Sequence, residues 1–345
     1  MSLAGVEHAG TAPPRAVERR RHHPVLRYAA RRVAAGVLTL AVLSLLVFAA
    51  TSVLPGDAAS AILGKQAHGP QLQHLRAEMG LNHSIARQYG DWVGGLLHGN
   101  LGNSAAGYAA GGHVTVWSQI SGKLANSAIL ALLAFLPIIA VSLLLGVVTA
   151  LRATGWLDHV VSTLTLIPAA LPEFVLGAVL LAVFFTWLNV LPPVSLIPPG
   201  ANPLDYPSEL VLPVLTLVGV STGYAIRMIR AGMLDSLLSE SVTMARLNGI
   251  RERRVVVRYA ARNALAPSVQ VFALIAQYLI GGILIVEYLY NYPGIGKELV
   301  DAVAIHDNLE VQSVTMLLAT IYVAITIAAD VVVMLLVPKL RTGGR

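Results

Sequence analysis

Two carboxylic acids lie inside long apolar stretches of the sequence, where an ionised side chain is costly and usually has a specific role. Glu173 lies in the string L-P-E-F-V-L-G in the middle of one stretch, and Asp330 lies near the end of another. The Glu173 carboxylate could face a pathway and meet a positively charged amine. It could equally be a polar packing group beside the backbone that Pro168 and Pro172 leave free. For Asp330 we expect an ion pair with an arginine of a neighbouring helix.

None of the familiar motifs for bond-breaking chemistry accompanies these acids. The sequence contains no cysteine, no H-E-x-x-H metal motif, no G-x-x-x-x-G-K-[ST] phosphate loop and no S-x-x-K. Residues 219–223 read G-V-S-T-G and have the spacing of G-x-S-x-G, but they lie within an apolar segment. A membrane-embedded enzyme would need paired ionisable groups at one depth, and the two acids lie at different depths of their segments. We therefore expect no catalysis, no metal site and no cofactor bound by this chain.

The longest strongly charged run between two apolar segments lies at residues 238–267, and it holds six arginines and two glutamates. Its first part carries small and apolar side chains at helical spacing, namely Leu238, Val242 and Ala245. Gly249 should end this short helix, because glycine adopts the left-handed cap conformation at little cost. A second, basic helix should occupy residues 250–264. We predict a helix–glycine–helix elbow that a partner protein grips.

Composition identifies the elements that must position these residues. Hydrophobic residues make up 56% of the chain and charged residues 12%, about half of the roughly 25% found in soluble domains. The net charge is +6, and 19 of the 24 lysines and arginines fall in five stretches. These stretches are residues 1–34, Arg152, Arg227 with Arg230, residues 238–267 and the tail after Val337. Such a bias towards one side of a membrane sets topology, and it argues against nucleic acid as a partner.

Six apolar segments are long enough to cross about 30 Å of hydrocarbon: residues 33–54, 124–151, 159–188, 210–226, 264–286 and 311–337. The sequence therefore predicts an all-α membrane protein with six transmembrane helices and with both termini in the cytoplasm. Arg227 and Arg230 should end the short fourth helix at the inner face. A cleavable signal peptide is the alternative for the first segment, but the apolar core exceeds the usual ~7–15 residues.

The spans divide the chain into three parts: a basic cytoplasmic segment (1–32), a six-span transmembrane domain (33–337) and a cytoplasmic tail (338–345). Within the domain, residues 55–123 should lie outside the cytoplasm, and residues 232–267 contain the elbow. The amphipathic, aromatic string at 88–104 predicts either an interfacial helix at the outer surface or a packed outer subdomain.

Several strings together resemble the permease subunits of ABC importers. Residues 244–249 read M-A-R-L-N-G, and R-x-x-x-x-R-Y-A-x-R-N-A-L-x-P follows from Arg253. With L-P-G-D at 54–57, the glycine-rich string at 88–104 and P-G-I-G at 293–296, this set is similar to the B-type subunit of the peptide/nickel subfamily. The resemblance implies a type I ABC importer permease fold in the inner or plasma membrane.

The resemblance also implies partners and roles for individual residues. A complete importer would contain a C-type second permease subunit, two ATP-binding subunits that carry ATP-Mg, and one extracytoplasmic substrate-binding protein. The residues implied to couple to the ATPase are Thr243, Met244, Ala245, Arg246, Gly249, Arg251 and Arg254. Candidates for the translocation path are Glu173, Gln277, Tyr278 and Glu287. Candidates for a loop that faces the binding protein are Tyr292, Pro293, Gly294 and Gly296.

Several alternatives stay open from the sequence. Glu287 could position the outer loop, Gln277 and Tyr278 could join helices, and the elbow arginines could simply set topology. The chain departs from the subfamily's usual residues at Ser241, Thr243, Met244 and Asn248, which bears on the fit to the ATPase. The solute could be a di- or oligopeptide, a nickel chelate or another small molecule. A channel or signalling protein without an ATPase partner is the alternative class.

Overall fold

The computed structural model describes residues 24–53, 58–63, 69–104 and 114–336, most of which are helical. The helices are α1 (Pro24–Val53), α2 (Ala58–Leu63), α3 (Pro70–Glu78), α4 (Ile85–Leu97), α5 (Val116–Leu151), α6 (Trp156–Ala170), α7 (Glu173–Leu181), α8 (Pro207–Leu237), α9 (Glu240–Leu247), α10 (Glu252–Val255), α11 (Ala261–Leu289), α12 (Ile295–Ala304) and α13 (Asn308–Leu336). A π-helical stretch extends α7 to Trp187, and another joins α10 to α11. The L-P-G-D string, residues 1–23 and the tail 338–345 lie outside the described residues.

Helices α1, α5, α8, α11 and α13 are each long and apolar enough to cross a membrane, and α6 with α7 adds a sixth span if this bent pair counts as one. The predicted all-α membrane fold is thus confirmed, with five or six candidate spans. Several boundaries differ from the prediction: α1 begins at Pro24, α5 begins at Val116, α8 continues to Leu237, and α11 merges with the basic arm of the elbow. Hydropathy ends a span at the first charge, whereas a helix continues for as long as its backbone hydrogen bonds are made.

The bend between α6 and α7 measures 105° and interrupts the third span, as the sequence predicts. Leu171 has ψ 140°, because the ring of the following Pro172 clashes with a helical conformation at the residue before it. Pro172 then precedes the first residue of α7, which is Glu173. The bend therefore places the Glu173 carboxylate at the N-terminus of a helix, inside an otherwise apolar span.

Helix α8 is the centre of the bundle and packs against α5, α6, α7 and α11. Glycines allow the closest approaches, since a Cβ at Gly146 would lie 2.8 Å from Ile229 and one at Gly219 would lie 2.9 Å from Leu176. A Cβ at Gly223 would overlap the backbone carbonyl of Thr165 on α6. Packing within this chain therefore accounts for Gly219 and Gly223, which have the G-x-x-x-G spacing.

Helices α1 and α13 pair at the periphery of the bundle. The Nε atom of Arg32 lies 3.0 Å from Oδ2 of Asp330, and a Cβ at Gly36 would lie 2.7 Å from Val323. The expected ion pair of Asp330 with an arginine of a neighbouring helix is confirmed. This ion pair joins the first and last spans, and it explains Asp330 as a structural residue.

Helix α4 packs on the ends of α1 and α13 through an aromatic cluster. The rings of Phe48 and Trp92 stack with centroids 5.9 Å apart, and Tyr89 packs edge-on to Phe48 at 5.3 Å. The Tyr89 hydroxyl also lies 2.9 Å from the Ser44 hydroxyl. This geometry is that of a packed subdomain, which was one of the two alternatives for the amphipathic string.

Candidate coupling elbow and translocation cleft

The elbow consists of the short helix α9, held between the ends of α8 and α10. Helix α8 ends at Leu237, Ser239 has the extended conformation of an N-cap, and α9 begins at Glu240. Val242 and Ala245 on α9 are buried in a small apolar cluster with Met233 of α8 and Val255 of α10. The apolar face predicted from the sequence therefore anchors α9 to the end of α8 and to α10.

The opposite face of α9 is exposed and mixes apolar with polar side chains. Met244 is 60% exposed and Leu247 is 75% exposed, and Ser241 and Thr243 are exposed beside them. The prediction that Leu238 shares one face of this helix with Val242 and Ala245 is wrong, and Leu238 is 83% exposed. Leu238 caps α8 rather than lying in α9, so the helical spacing to Val242 does not apply.

Gly249 ends α9 as the sequence predicts. Its φ is +73°, and the following Ile250 donates a backbone hydrogen bond of 3.1 Å to the carbonyl of Ala245. The Gly249 amide also donates to the carbonyl of Arg246 at 3.0 Å. These two bonds form a Schellman cap, which needs a left-handed residue at the position of Gly249. Ile250 then packs on the cluster beneath α9 and turns the chain towards α10.

An ion pair braces the same turn from its outer side. The Arg246 guanidinium donates two hydrogen bonds to the Glu252 carboxylate, with lengths of 3.2 and 2.7 Å. The hydrogen bonds raise the pKa of Arg246 and lower the pKa of Glu252. Arg246 is therefore occupied within the chain. Arg251 and Arg254 are exposed, and the described residues provide neither with an ion-pair partner.

A second ion pair was not anticipated from the sequence. Arg230 of α8 donates to both oxygens of Asp158 in the first turn of α6, at 2.7 and 2.6 Å, and the Thr154 amide donates to the same carboxylate. Asp158 is buried. Helix α8 continues past Arg227 and Arg230 to Leu237, so these two residues end an apolar stretch and not the helix. The sequence did hold a signal for this ion pair. An aspartate follows the turn at Gly155, at the same end of the bundle as Arg230.

Three of the four candidate path residues lie together. Glu173, Gln277 and Tyr278 line a cleft of about 810 Å³ between α11 and α13, and the Tyr278 hydroxyl lies next to the Glu173 carboxylate. The rest of the lining is mostly apolar and includes Tyr322. Gly282 brings α11 close to the acid, since a Cβ there would lie 3.3 Å from Oε1 of Glu173.

The fourth candidate, Glu287, does not line this cleft. It is fully buried, accepts a hydrogen bond from the Ser127 hydroxyl, and accepts another of 2.6 Å from the Gly296 amide. Ser127 in turn accepts a hydrogen bond from the Ile295 amide. The carboxylate thus holds the first turn of α12 against α5. Its geometry is that of loop positioning, the alternative that the sequence left open.

The outer turn is shaped by buried residues. The Tyr292 hydroxyl donates to the carbonyl of Asn126 at 2.8 Å, and the Asn126 amide donates to the carbonyl of Pro293 at 2.9 Å. Burial, with the nearby Glu287 charge, raises the pKa of Tyr292. A Cβ at Gly294 would overlap the Glu287 carboxylate. Three residues that form the turn are buried, namely Tyr292, Gly294 and Gly296. A partner protein would therefore contact the surface of the turn rather than these side chains.

Together these features define a class of protein: a helical bundle with membrane-spanning helices, an open cleft and a short exposed helix joined to the central spans. A family described as binding-protein-dependent transport system inner membrane component matches residues 142–342, and the N-terminal component of such systems matches residues 25–131. The chain belongs to this family. It is a multi-pass inner membrane component of a transporter and is not itself a catalyst, and such transporters work with an ATPase and a substrate-binding protein.

Relatives match this chain over nearly their whole length. A di/tripeptide transport system permease of Pseudomonas aeruginosa is 31% identical over 92% of this chain and 99% of its own length. A glutathione transport system permease of Pectobacterium atrosepticum is 29% identical over 92% and 99% of the two chains. One of the same name from Escherichia coli is 28% identical over 92% and 99%.

Proposed function

We propose that this chain is a permease subunit that carries di- or oligopeptides inward, driven by ATP hydrolysis on partner subunits. The observation that carries the proposal is the elbow, a short helix with one buried and one exposed face, capped at Gly249. It joins α8 and α11 without a flexible linker, so a force on α9 reaches both helices. The relatives named for di/tripeptide and glutathione transport support a peptide as the solute.

The complex we propose contains a C-type second permease subunit, two ATP-binding subunits that carry ATP-Mg, and one extracytoplasmic binding protein. The elbow and both termini lie in the cytoplasm, and residues 55–123 lie outside, in keeping with the arginine distribution. The exposed face with Met244 and Leu247 docks on an ATPase. The exposed Arg251 and Arg254 lie beside it and suit acidic groups of the partner or lipid phosphates.

Transport then follows alternating access. Closure of the ATPase pair on ATP displaces α9, and α8 and α11 tilt with it because their ends are packed against its buried face. The tilt changes the access to the cleft on α11 that Glu173 and Tyr278 line. The contribution of this chain is mechanical and electrostatic: it transmits motion and provides a lined path.

Purification of the tagged chain in mild detergent, together with the products of its neighbouring genes, tests the proposal. We expect an ATPase pair and a second permease to co-purify, and ATP hydrolysis to rise when binding protein and peptide are added together. Labelling of single cysteines introduced at exposed elbow positions such as Arg251 should occur from the cytoplasmic side. A chain that purifies alone, or an elbow labelled from outside, would refute the proposal.

A further inference from the structure

The cleft between α11 and α13 has one charged group in its wall. Of the described residues that line it, Glu173 alone carries a formal charge, and the others are apolar, small, amide or phenol side chains. Glu173 is 9% exposed, so its carboxylate is largely withdrawn from solvent yet borders the open space. An acid in this position needs a compensating group, because an unpaired charge in an apolar surrounding is strongly disfavoured.

The described residues compensate this carboxylate only in part. Two carboxylate oxygens provide about four acceptor positions, and the neighbouring Tyr278 hydroxyl is the polar side chain that interacts with them. No arginine, lysine or histidine of the described residues forms an ion pair with Glu173. The N-terminus of α7 favours a negative charge at its first residue. The site therefore lacks a cation.

The lining of the cleft leaves room for such a cation at Gly281 of α11. A Cβ at Gly281 would meet nothing within 4 Å, so α11 presents bare backbone to the cleft at this point. The volume of about 810 Å³ lies within the range of roughly 300–1,000 Å³ that is usual for small-molecule pockets. Gln277 and Tyr322 add an amide and a phenol that can bind other polar groups of the same molecule.

From this geometry we infer that Glu173 is an ammonium-binding subsite, which favours cargo with a free, protonated amino group over the same cargo with that amine acylated. The inference rests on the proposed function and adds a selectivity to the path itself. Tyr278 orients the carboxylate, and the open space at Gly281 gives the ammonium group room to meet it. An arginine or lysine of a second permease subunit is the competing partner for the same acid.

Uptake into proteoliposomes that contain the complete transporter tests the inference. The ratio of uptake of a free dipeptide to that of its N-acetyl form is compared between the wild type and Glu173→Gln, an isosteric neutral variant. The binding protein is the same in both, so its own preference cancels. We expect the ratio to fall about 10- to 100-fold, as for the loss of a charged hydrogen bond. Asp205→Asn, which removes an exposed acid outside the cleft, should leave it unchanged.

A binding measurement without transport completes the test. The chain has no cysteine, so Ala319→Cys places a single reporter thiol in the opposite wall of the cleft. Free dipeptide should slow maleimide labelling of this thiol, and the N-acetyl form should do so only at far higher concentration. In the Glu173→Gln background the two peptides should protect equally. A thiol that no maleimide reaches in any nucleotide state would show that the cleft is closed to solutes and would overturn the inference.

Failure of the inference differs from failure of the proposed function. If Glu173→Gln transports both peptides in the wild-type ratio, the subsite does not exist, although ATP-driven uptake persists. If the variant loses assembly with the second permease, Glu173 pairs with that subunit and the inference is wrong. If the wild-type complex shows no ATP-dependent uptake of either peptide, the proposed function itself fails.

Discussion

Replacement of Gly249 by valine is the sharpest perturbation of the elbow. Gly249 has φ +73°, and a Cβ built there meets nothing within 4 Å, so any cost comes from the backbone conformation and not from crowding. A residue with a side chain loses about 1–2 kcal/mol in this left-handed conformation, and a β-branched residue loses more. The alternative is to open the cap, which removes two hydrogen bonds worth about 0.5–1.5 kcal/mol each.

Either route costs about 1–3 kcal/mol. If this whole cost appears in the free energy of ATPase docking, the affinity falls about 5- to 150-fold. The membrane spans do not depend on this cap, so insertion and expression should be preserved. The assay is the ATPase retained by tagged permease in detergent, titrated with ATPase subunits, together with hydrolysis stimulated by binding protein and peptide. Both readouts should decline together, because they depend on the same docked helix.

Two matched variants separate the cap from general backbone strain. Gly200→Val imposes the same kind of strain, since Gly200 has φ +81° with nothing near its Cβ, but it lies far from the elbow in sequence and outside any helix. Docking should survive in that variant. Gly249→Asn should dock better than Gly249→Val, because asparagine tolerates the left-handed conformation. Normal docking of Gly249→Val, or equal damage from Gly200→Val, would refute the account of the elbow.

Three further predictions follow from the ion pairs and the outer turn. Arg230→Met should lower the stability of the chain by about 3 kcal/mol, because it leaves the buried Asp158 carboxylate without a partner. Thermal unfolding in detergent measures this loss. Adding Asp158→Asn to the same chain should restore part of it. Tyr292→Phe removes one hydrogen bond and should cost about 1 kcal/mol, seen as a lower unfolding temperature with cleft labelling unchanged. The pKa of Glu252 is lowered by Arg246, so the brace is fully present above the ordinary glutamate pKa and is lost as the pH falls through the lowered value. After correction for the slower intrinsic exchange at low pH, the protection of the α9 amides should therefore fall in acid, and a Glu252→Gln variant that keeps this acid response would contradict the assignment.

Local features of the chain were readable from the sequence because they depend on neighbouring residues. The left-handed cap at Gly249, the break at Pro172 and the buried pair Val242 and Ala245 follow from conformational preference and helical spacing. Leu238 was misplaced because the spacing rule does not say where one helix ends and the next begins. That boundary depends on Ser239, whose extended conformation separates α8 from α9.

Partners distant in sequence were beyond such rules. The pairing of Arg230 with Asp158 spans 72 positions, and the bond from Ser127 to Glu287 spans 160. No periodicity connects residues across such distances. The sequence identified Arg230 as a topological charge and Glu287 as a path or loop residue. Only the packing of the helices decides which atoms these two groups contact.

What the sequence by itself determined is the class of molecule: six apolar stretches, basic on one side, with a glycine-ended elbow between two of them. The free energy of transferring side chains to hydrocarbon acts residue by residue, so composition and order suffice to set it. Only the tertiary structure decided that Glu173 and Tyr278 border one open cleft while Glu287 closes a turn. Burial and hydrogen bonding depend on which helices pack together, and the linear sequence does not specify that packing.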